Sequence, residues 1–245
     1  MLLNLLSNGF DKWALIELLL CMPIILFSLS LHETAHGFIA YKLGDPTARN
    51  LGRLTLNPFK HLDPIGALCM LIFGFGWAKP VPINTRYFKN PRRGMALTGI
   101  AGPISNLLLA IVCYILSIIT FDSGLVSGLI VSAEGGLYLA NNAAWIVYVI
   151  YLFFTVATNL NVALAIFNLI PVPPFDGSRF MYMLLPQKWY FKVMKYEQYT
   201  GLVVFAIIFI LSRVGIYPVS IVSNWVLRGF DFLFATPIDL LFGIS

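Results

Sequence analysis

The sequence predicts an all-α polytopic membrane protein of about five transmembrane helices, with a re-entrant or β-like element between the first two. Three observations predict this fold class. Hydrophobic residues fill 59% of the 245 positions and charged residues only 11%, whereas soluble domains run nearer a quarter charged. The apolar residues fall into runs that match a bilayer core, which takes about 20 residues per helix. The basic residues cluster between those runs, and one intervening stretch has none.

Trp13 to Tyr41 is the first run, Gly94 to Thr120 the second and Ala143 to Leu169 the third. Gly201 to Tyr217 and Pro218 to Phe234 read as a closing hairpin, about 201–236, each arm only just long enough to cross. Ile65 to Trp77 is shorter and glycine-rich at its end (Gly74, Gly76), which suits a re-entrant or interfacial segment. From Trp77 to Asn84 the prolines Pro80 and Pro82 favour extended chain, because proline fixes φ and pushes its predecessor out of the helical region. With no internal repeat and no long linker, the chain reads as a single membrane domain over 1–245. The first run is not a cleaved signal peptide: it follows Asp11 and Lys12 and lacks a small-residue exit. Cys21, Cys69 and Cys113 lie in apolar stretches without metal-like spacing and read as small buried hydrophobes.

Charge orients the spans. Lys42, Arg49, Arg53, Lys60, Lys79, Arg86, Lys89, Arg92 and Arg93 crowd the first connection, with only Asp45 and Asp63 as acids. Phe121 to Asn142 has Asp122 and Glu134 and no basic residue, and Arg179, Lys188, Lys192 and Lys195 follow the third span. This alternation places the first and third connections in the cytosol, the N-terminus outside and the C-terminus inside. It also explains the basic balance without a nucleic-acid partner.

At the cytosolic end of the first span stands His32-Glu33-Thr34-Ala35-His36, an H-E-x-x-H pattern. Residues four apart on a helix share a face, so both imidazoles can reach one cation. Glu33 projects beside that face, where a carboxylate can take a proton from water attacking a carbonyl and deliver it to the leaving nitrogen. The plainer reading is a pair of interfacial histidines with a solvated neighbour, but ionisable groups in an apolar helix are costly and usually functional.

A catalytic zinc site usually has three protein ligands and an open position. The soluble-protease extension fails, since Ile39 and Lys42 stand where its glycine and histidine belong. His61, Asp45, Asp63 and Asp176 are the candidates for the third ligand. Asp176 is the best of them: Pro171, Pro173 and Pro174 break the backbone after the third span, and Gly177 permits a tight turn. Irregular backbone at membrane depth is tolerated where it is buried in protein or lines a wet cavity. Its bland alternative is a cap for a short helix from Arg179 to Leu185. His61 reads as a solvated loop histidine, and Glu17 lies about four turns before His32, too far for a ligand.

These residues resemble the site-2 protease family of intramembrane zinc metalloproteases. Besides the H-E-x-x-H, Gly102-Pro103-Ile104-Ser105-Asn106 lies in the second full span, and Asn168 to Gly177 matches the pattern N-x-x-P-x-P-x-x-D-G. The resemblance covers a catalytic core of about 15–185. It implies one Zn2+ per chain held by His32, His36 and Asp176, Glu33 as general base and acid, and Asn168 near the metal, holding the substrate carbonyl or its oxyanion. Asn106, with Gly102 and Ser105 beside it, is expected to pack helices closely and to bond across them. The resemblance also implies an extended element at Gly74 to Asn84 along which substrate lies as an added strand. The expected function is hydrolysis of peptide bonds in transmembrane or membrane-proximal segments of membrane-tethered proteins, at the cell membrane and near its cytosolic face. No loop has room for a PDZ or CBS domain, so this is a minimal member, and regulation falls to substrate trimming, a regulatory membrane partner or the lipid bilayer. The rivals are a catalytically silent relative that binds membrane proteins and a metal transporter. A di-iron oxidase is excluded by the supply of only three histidines.

Overall fold

The computed structural model describes residues 12–66, 78–122, 129–131, 137–139, 142–184, 186 and 196–237. In chain order these form α1 (Lys12–Lys42), the short helices α2 (Thr47–Asn50) and α3 (Pro58–His61), a 3-10 turn (Thr85–Tyr87) and α4 (Pro91–Asp122). There follow strands β1 (Leu129–Val131) and β2 (Leu137–Leu139), α5 (Asn142–Asn168), α6 (Gly177–Leu184), α7 (Glu197–Arg213), α8 (Pro218–Phe230) and a π-helical turn (Asp231–Ala235). The three central spans expected from hydropathy are therefore helices, displaced by three residues or fewer at each end.

Within α1, α4 and α5, Leu19–Lys42, Pro91–Phe121 and Trp145–Asn168 are long and apolar enough to cross a membrane. At 1.5 Å per residue even the 24-residue spans reach about 36 Å, more than the roughly 30 Å of hydrocarbon they must cross. Their outward faces carry exposed Leu19, Leu97, Leu108, Val112 and Ile146, the arrangement a lipid surroundings rewards. Helices α7 and α8 are shorter, with 17 and 13 residues.

Two features depart from expectation. The connection between the second and third spans, for which the sequence suggested no element, carries an antiparallel pair, with Leu129 opposite Leu139 and Val131 opposite Leu137. Among the described residues, the β-like character expected between the first two spans is one antiparallel bridge, Leu62 with Ala78, flanking the extended stretch that Pro80 and Pro82 predicted. The segment read as re-entrant lies, from 67 to 77, outside the described residues.

Helices α1 and α4 run antiparallel, since His32 meets Asn106 while His36 meets Thr98. Small residues let them approach. Ile24, Cys113 and Ala157 form one buried cluster of α1, α4 and α5, and Ala110, Val162 and Phe230 join α4, α5 and α8 in another. Lipid tails are as apolar as leucine, so close van der Waals packing and interhelical hydrogen bonds hold such helices together. The Tyr114 hydroxyl also donates to Asp231, which fastens the end of α8 to α4.

The ends of α1 and α2 shape the site. Gly44 has φ +107° and Gly52 φ +64°, which only glycine adopts without strain. The following amides fold back in the same way, Asp45 N–H to the Ala40 carbonyl and Arg53 N–H to the Ala48 carbonyl, each 2.9 Å. Both helices thus close with the glycine-terminated pair of hydrogen bonds that satisfies their last carbonyls. Both turns also deliver a charged residue inward: Asp45 and Arg53 are buried.

Candidate metal centre

His32 and His36 sit one turn apart on α1, both buried, with ring centroids 4.6 Å apart. Beyond the end of α5 the chain Asn168 to Asp176 turns back through its prolines and seats Asp176 opposite them. Its carboxylate Oδ2 lies 2.9 Å from His32 Nε2 and 3.1 Å from His36 Nε2. Among the described residues these three form the group of histidine and acidic side chains able to hold a metal ion, with donor atoms all within 4.8 Å of one another. Asp176 directly precedes α6, yet its carboxylate turns to the imidazoles, with the Arg179 guanidinium 3.6 Å away. A cap is therefore not its part here.

The chemistry of the donor set fits a cation. His36 Nδ1 lies 2.6 Å from the Thr98 carbonyl oxygen, which only accepts, so the ring carries a proton there and donates it. His32 Nδ1 likewise donates to Asn106 Oδ1 at 2.7 Å. Both Nε2 atoms are then left with lone pairs aimed at a carboxylate oxygen. Three acceptors this close require positive charge among them, either an added proton or a metal ion. Two imidazole nitrogens and a carboxylate oxygen are a common zinc set with an open fourth position. Burial on its own raises the Asp176 carboxyl, but where the positive charge is a proton added to the imidazoles, their hydrogen bonds to it outweigh burial and hold the group well below the usual carboxylate range. It therefore stays ionised, as a ligand must.

Gly102 makes the approach of α4 possible. A Cβ there would lie 2.5 Å from His32 Nε2 and 2.5 Å from His36 Nε2, closer than real side chains come. The G-P-x-S-N stretch thus does more than pack helices. Its glycine yields space to the imidazoles, and Asn106, expected mainly as a packing residue, bonds His32 directly and Asn161 at 2.9 Å.

Glu33 accepts from the Val81 amide at 2.8 Å through Oε2, leaving Oε1 for other work. The donor is set by sequence: Pro80 and Pro82 have no N–H, so Val81 alone can donate between Lys79 and Ile83. The segment is held on both sides. Lys79 N–H donates to the His61 carbonyl at 2.8 Å, and Arg53 donates to the carbonyls of Lys79 and Pro80 at 2.7 and 3.3 Å. Asn84 N–H donates to Asp45 Oδ2 at 2.6 Å. Asp45 and Arg53 hold backbone rather than metal.

The other candidates fall elsewhere. His61 is no solvated loop histidine: it is buried at the end of α3 and donates through Nε2 to the Thr55 carbonyl at 2.7 Å. The physical reason is that α3 packs on α1, where its ring finds an acceptor the loop reading did not foresee. Asp63 accepts from Ile65 N–H and Gly66 N–H, a local turn. Asn168 is half-buried and donates through Nδ2 to the Leu164 carbonyl of its own helix at 2.9 Å, so its amide does not touch the three donor groups. Sequence reasoning missed Thr98, whose contribution is a backbone carbonyl, and Asn161. The latter left a trace, as an amide inside an apolar span that needs a partner.

The profile of peptidase family M50 matches residues 21–211. YwhC of Bacillus subtilis (strain 168), provisionally named a zinc metalloprotease, is 41% identical over 186 residues, 76% of this chain and 78% of that protein. Rip2 of Mycolicibacterium smegmatis, provisionally named likewise, is 35% identical over 35% of each chain. The zinc metalloprotease MJ0392 of Methanocaldococcus jannaschii is 27% identical over 76% of this chain and 39% of its own length. No solved structure matches the chain significantly.

Proposed function

Since the chain belongs to peptidase family M50, the family of the site-2 proteases, we propose that it is a zinc-dependent intramembrane endopeptidase. Its substrates are membrane-tethered proteins, cut in transmembrane or membrane-proximal segments. The observation that carries the reading is the convergence of His32, His36 and Asp176 beside Glu33.

His32 and His36 through Nε2, and Asp176 through its carboxylate, would hold the zinc. When bound, the cation supplies Lewis acidity, polarising a carbonyl and making water a stronger acid. Glu33 takes the proton of the attacking water at its free Oε1 and passes it to the leaving amide nitrogen. The Val81 amide keeps that carboxylate from swinging away. Asn168, released from the Leu164 carbonyl by a side-chain rotation, donates to the developing oxyanion, a contact worth about 3 kcal/mol in comparable sites. The extended chain from Ala78 to Asn84 offers an unwound substrate an edge for backbone pairing.

The basic connection between α1 and α4 supports a site near the cytosolic face of the cell membrane, with the N-terminus outside and about five spans in all. The partners are membrane-spanning substrates, a regulatory membrane protein and the bilayer itself.

Detergent-purified protein is given a single-span membrane protein, with and without a zinc chelator, beside Glu33→Gln. The reading predicts chelator-sensitive cleavage that falls by about 10²-fold or more in Glu33→Gln, with zinc retained in the variant. Equal cleavage by Glu33→Gln would overturn it; zinc bound with no cleavage of any substrate would point to the silent binder.

A further inference from the structure

We propose that Asn161, inside α5 and outside the donor set, is a positioning residue that decides which nitrogen of His32 carries the proton, and so whether Nε2 meets the metal with a lone pair. The inference rests on the reading of His32 as a ligand. A primary amide such as Asn106 can turn either end to a neighbour, and its two ends differ in consequence. With its oxygen toward His32 Nδ1, the ring is protonated there and Nε2 keeps a lone pair. With its NH2 toward Nδ1, the ring takes the other tautomer, and Nε2–H points at the place of the metal.

The structure contains a chain of bonds that admits one direction. The Ala157 backbone carbonyl can only accept, and Asn161 lies 2.8 Å from it through Nδ2. Asn161 must therefore present its oxygen to Asn106, 2.9 Å away. Asn106 must answer with its NH2, which leaves its oxygen for His32 Nδ1 at 2.7 Å. The polarity of a carbonyl on α5 is so transmitted through two amides to α1. Both asparagines are fully buried, so no water is at hand to satisfy a reversed amide, and a buried donor or acceptor without a partner is costly. His36 needs no such relay, because it meets the Thr98 backbone carbonyl directly.

Without the Asn161 oxygen, the Asn106 NH2 has no acceptor on that side and turns to the imidazole, so binding a metal must first turn it back. Outer partners of metal-bound histidines typically matter 10- to 100-fold in affinity. The experiment is zinc competition against a chromophoric chelator on the full chain in detergent, with cobalt substitution to report ligand geometry. Asn161→Leu is expected to weaken zinc about tenfold or more and to alter the cobalt spectrum. Asn161→Asp is expected to stay near wild type, because a buried carboxyl still accepts from Asn106 and, protonated, still donates to Ala157. Adding Asn161→Leu to Asn106→Leu should cost nothing further, since the relay is already cut, whereas a merely structural role would give additive losses. Wild-type affinity in Asn161→Leu, or additivity in the double variant, overturns the proposal. Should Asn161→Leu not fold, Asn161→Ala carries the same comparison. A wild type that binds no zinc overturns the protease reading itself, a result distinct from either.

Discussion

At the residue scale, the site is built as much from absences as from side chains. Gly102 lacks a Cβ where one would stand 2.5 Å from both imidazole Nε2 atoms, and overpacking of that kind typically costs about 1–3 kcal/mol. Gly102→Ala is thus expected to lower zinc affinity at least tenfold while α4 still forms, as equilibrium dialysis against labelled zinc would reveal. His32, Glu33 and His36 were legible because helical spacing turns one short pattern into one face. Asp176 was legible because prolines and a glycine around a carboxylate announce an irregular turn at the membrane. Thr98 was not, because it contributes a backbone carbonyl, and any residue supplies one. His61 was misjudged for a related reason: a polar stretch of sequence looks solvated until the acceptor at Thr55 and the packing of α3 against α1 are known.

Among the elements, the extended stretch from Ala78 to Asn84 has the least internal support and the most borrowed support. Among the described residues its only pairing is the bridge to Leu62, and it depends on Arg53 and Asp45, delivered by the glycine turns that end α2 and α1. A hydrogen bond from a charged group contributes about 1.5–3 kcal/mol, so Arg53→Met is expected to loosen the Lys79 and Pro80 carbonyls markedly. Cleavage should fall about tenfold with zinc content unchanged, separating this element from the ligands. An unchanged turnover number would mean that the stretch does not orient Glu33 or substrate. Proline positions showed from the sequence that this stretch is extended. What grips it was hidden, because Asp45 read as a candidate ligand and Arg53 as one of the basic residues orienting the chain until the turns that bury them are seen.

For the whole molecule, the described residues centre on three apolar helices, α1, α4 and α5, packed through small residues around a polar seam of His32, Asn106 and Asn161. Hydropathy located the spans because length and apolarity are local properties. The β1–β2 pair was not foreseen, because two three-residue strands carry too little periodicity to stand out. Orientation is testable directly. In a chain freed of its own cysteines, a cysteine replacing Lys89 should be labelled only from the cytosolic side, and one replacing Ser127 only from outside; the reverse pattern would invert the topology. The central claim is that His32, His36 and Asp176 together hold one zinc, and metal analysis of the folded, purified chain tests it most directly. About one zinc per chain is predicted for wild type and for His61→Ala, and close to none for Asp176→Ala. Zinc retained by Asp176→Ala, or lost in His61→Ala, would contradict the account.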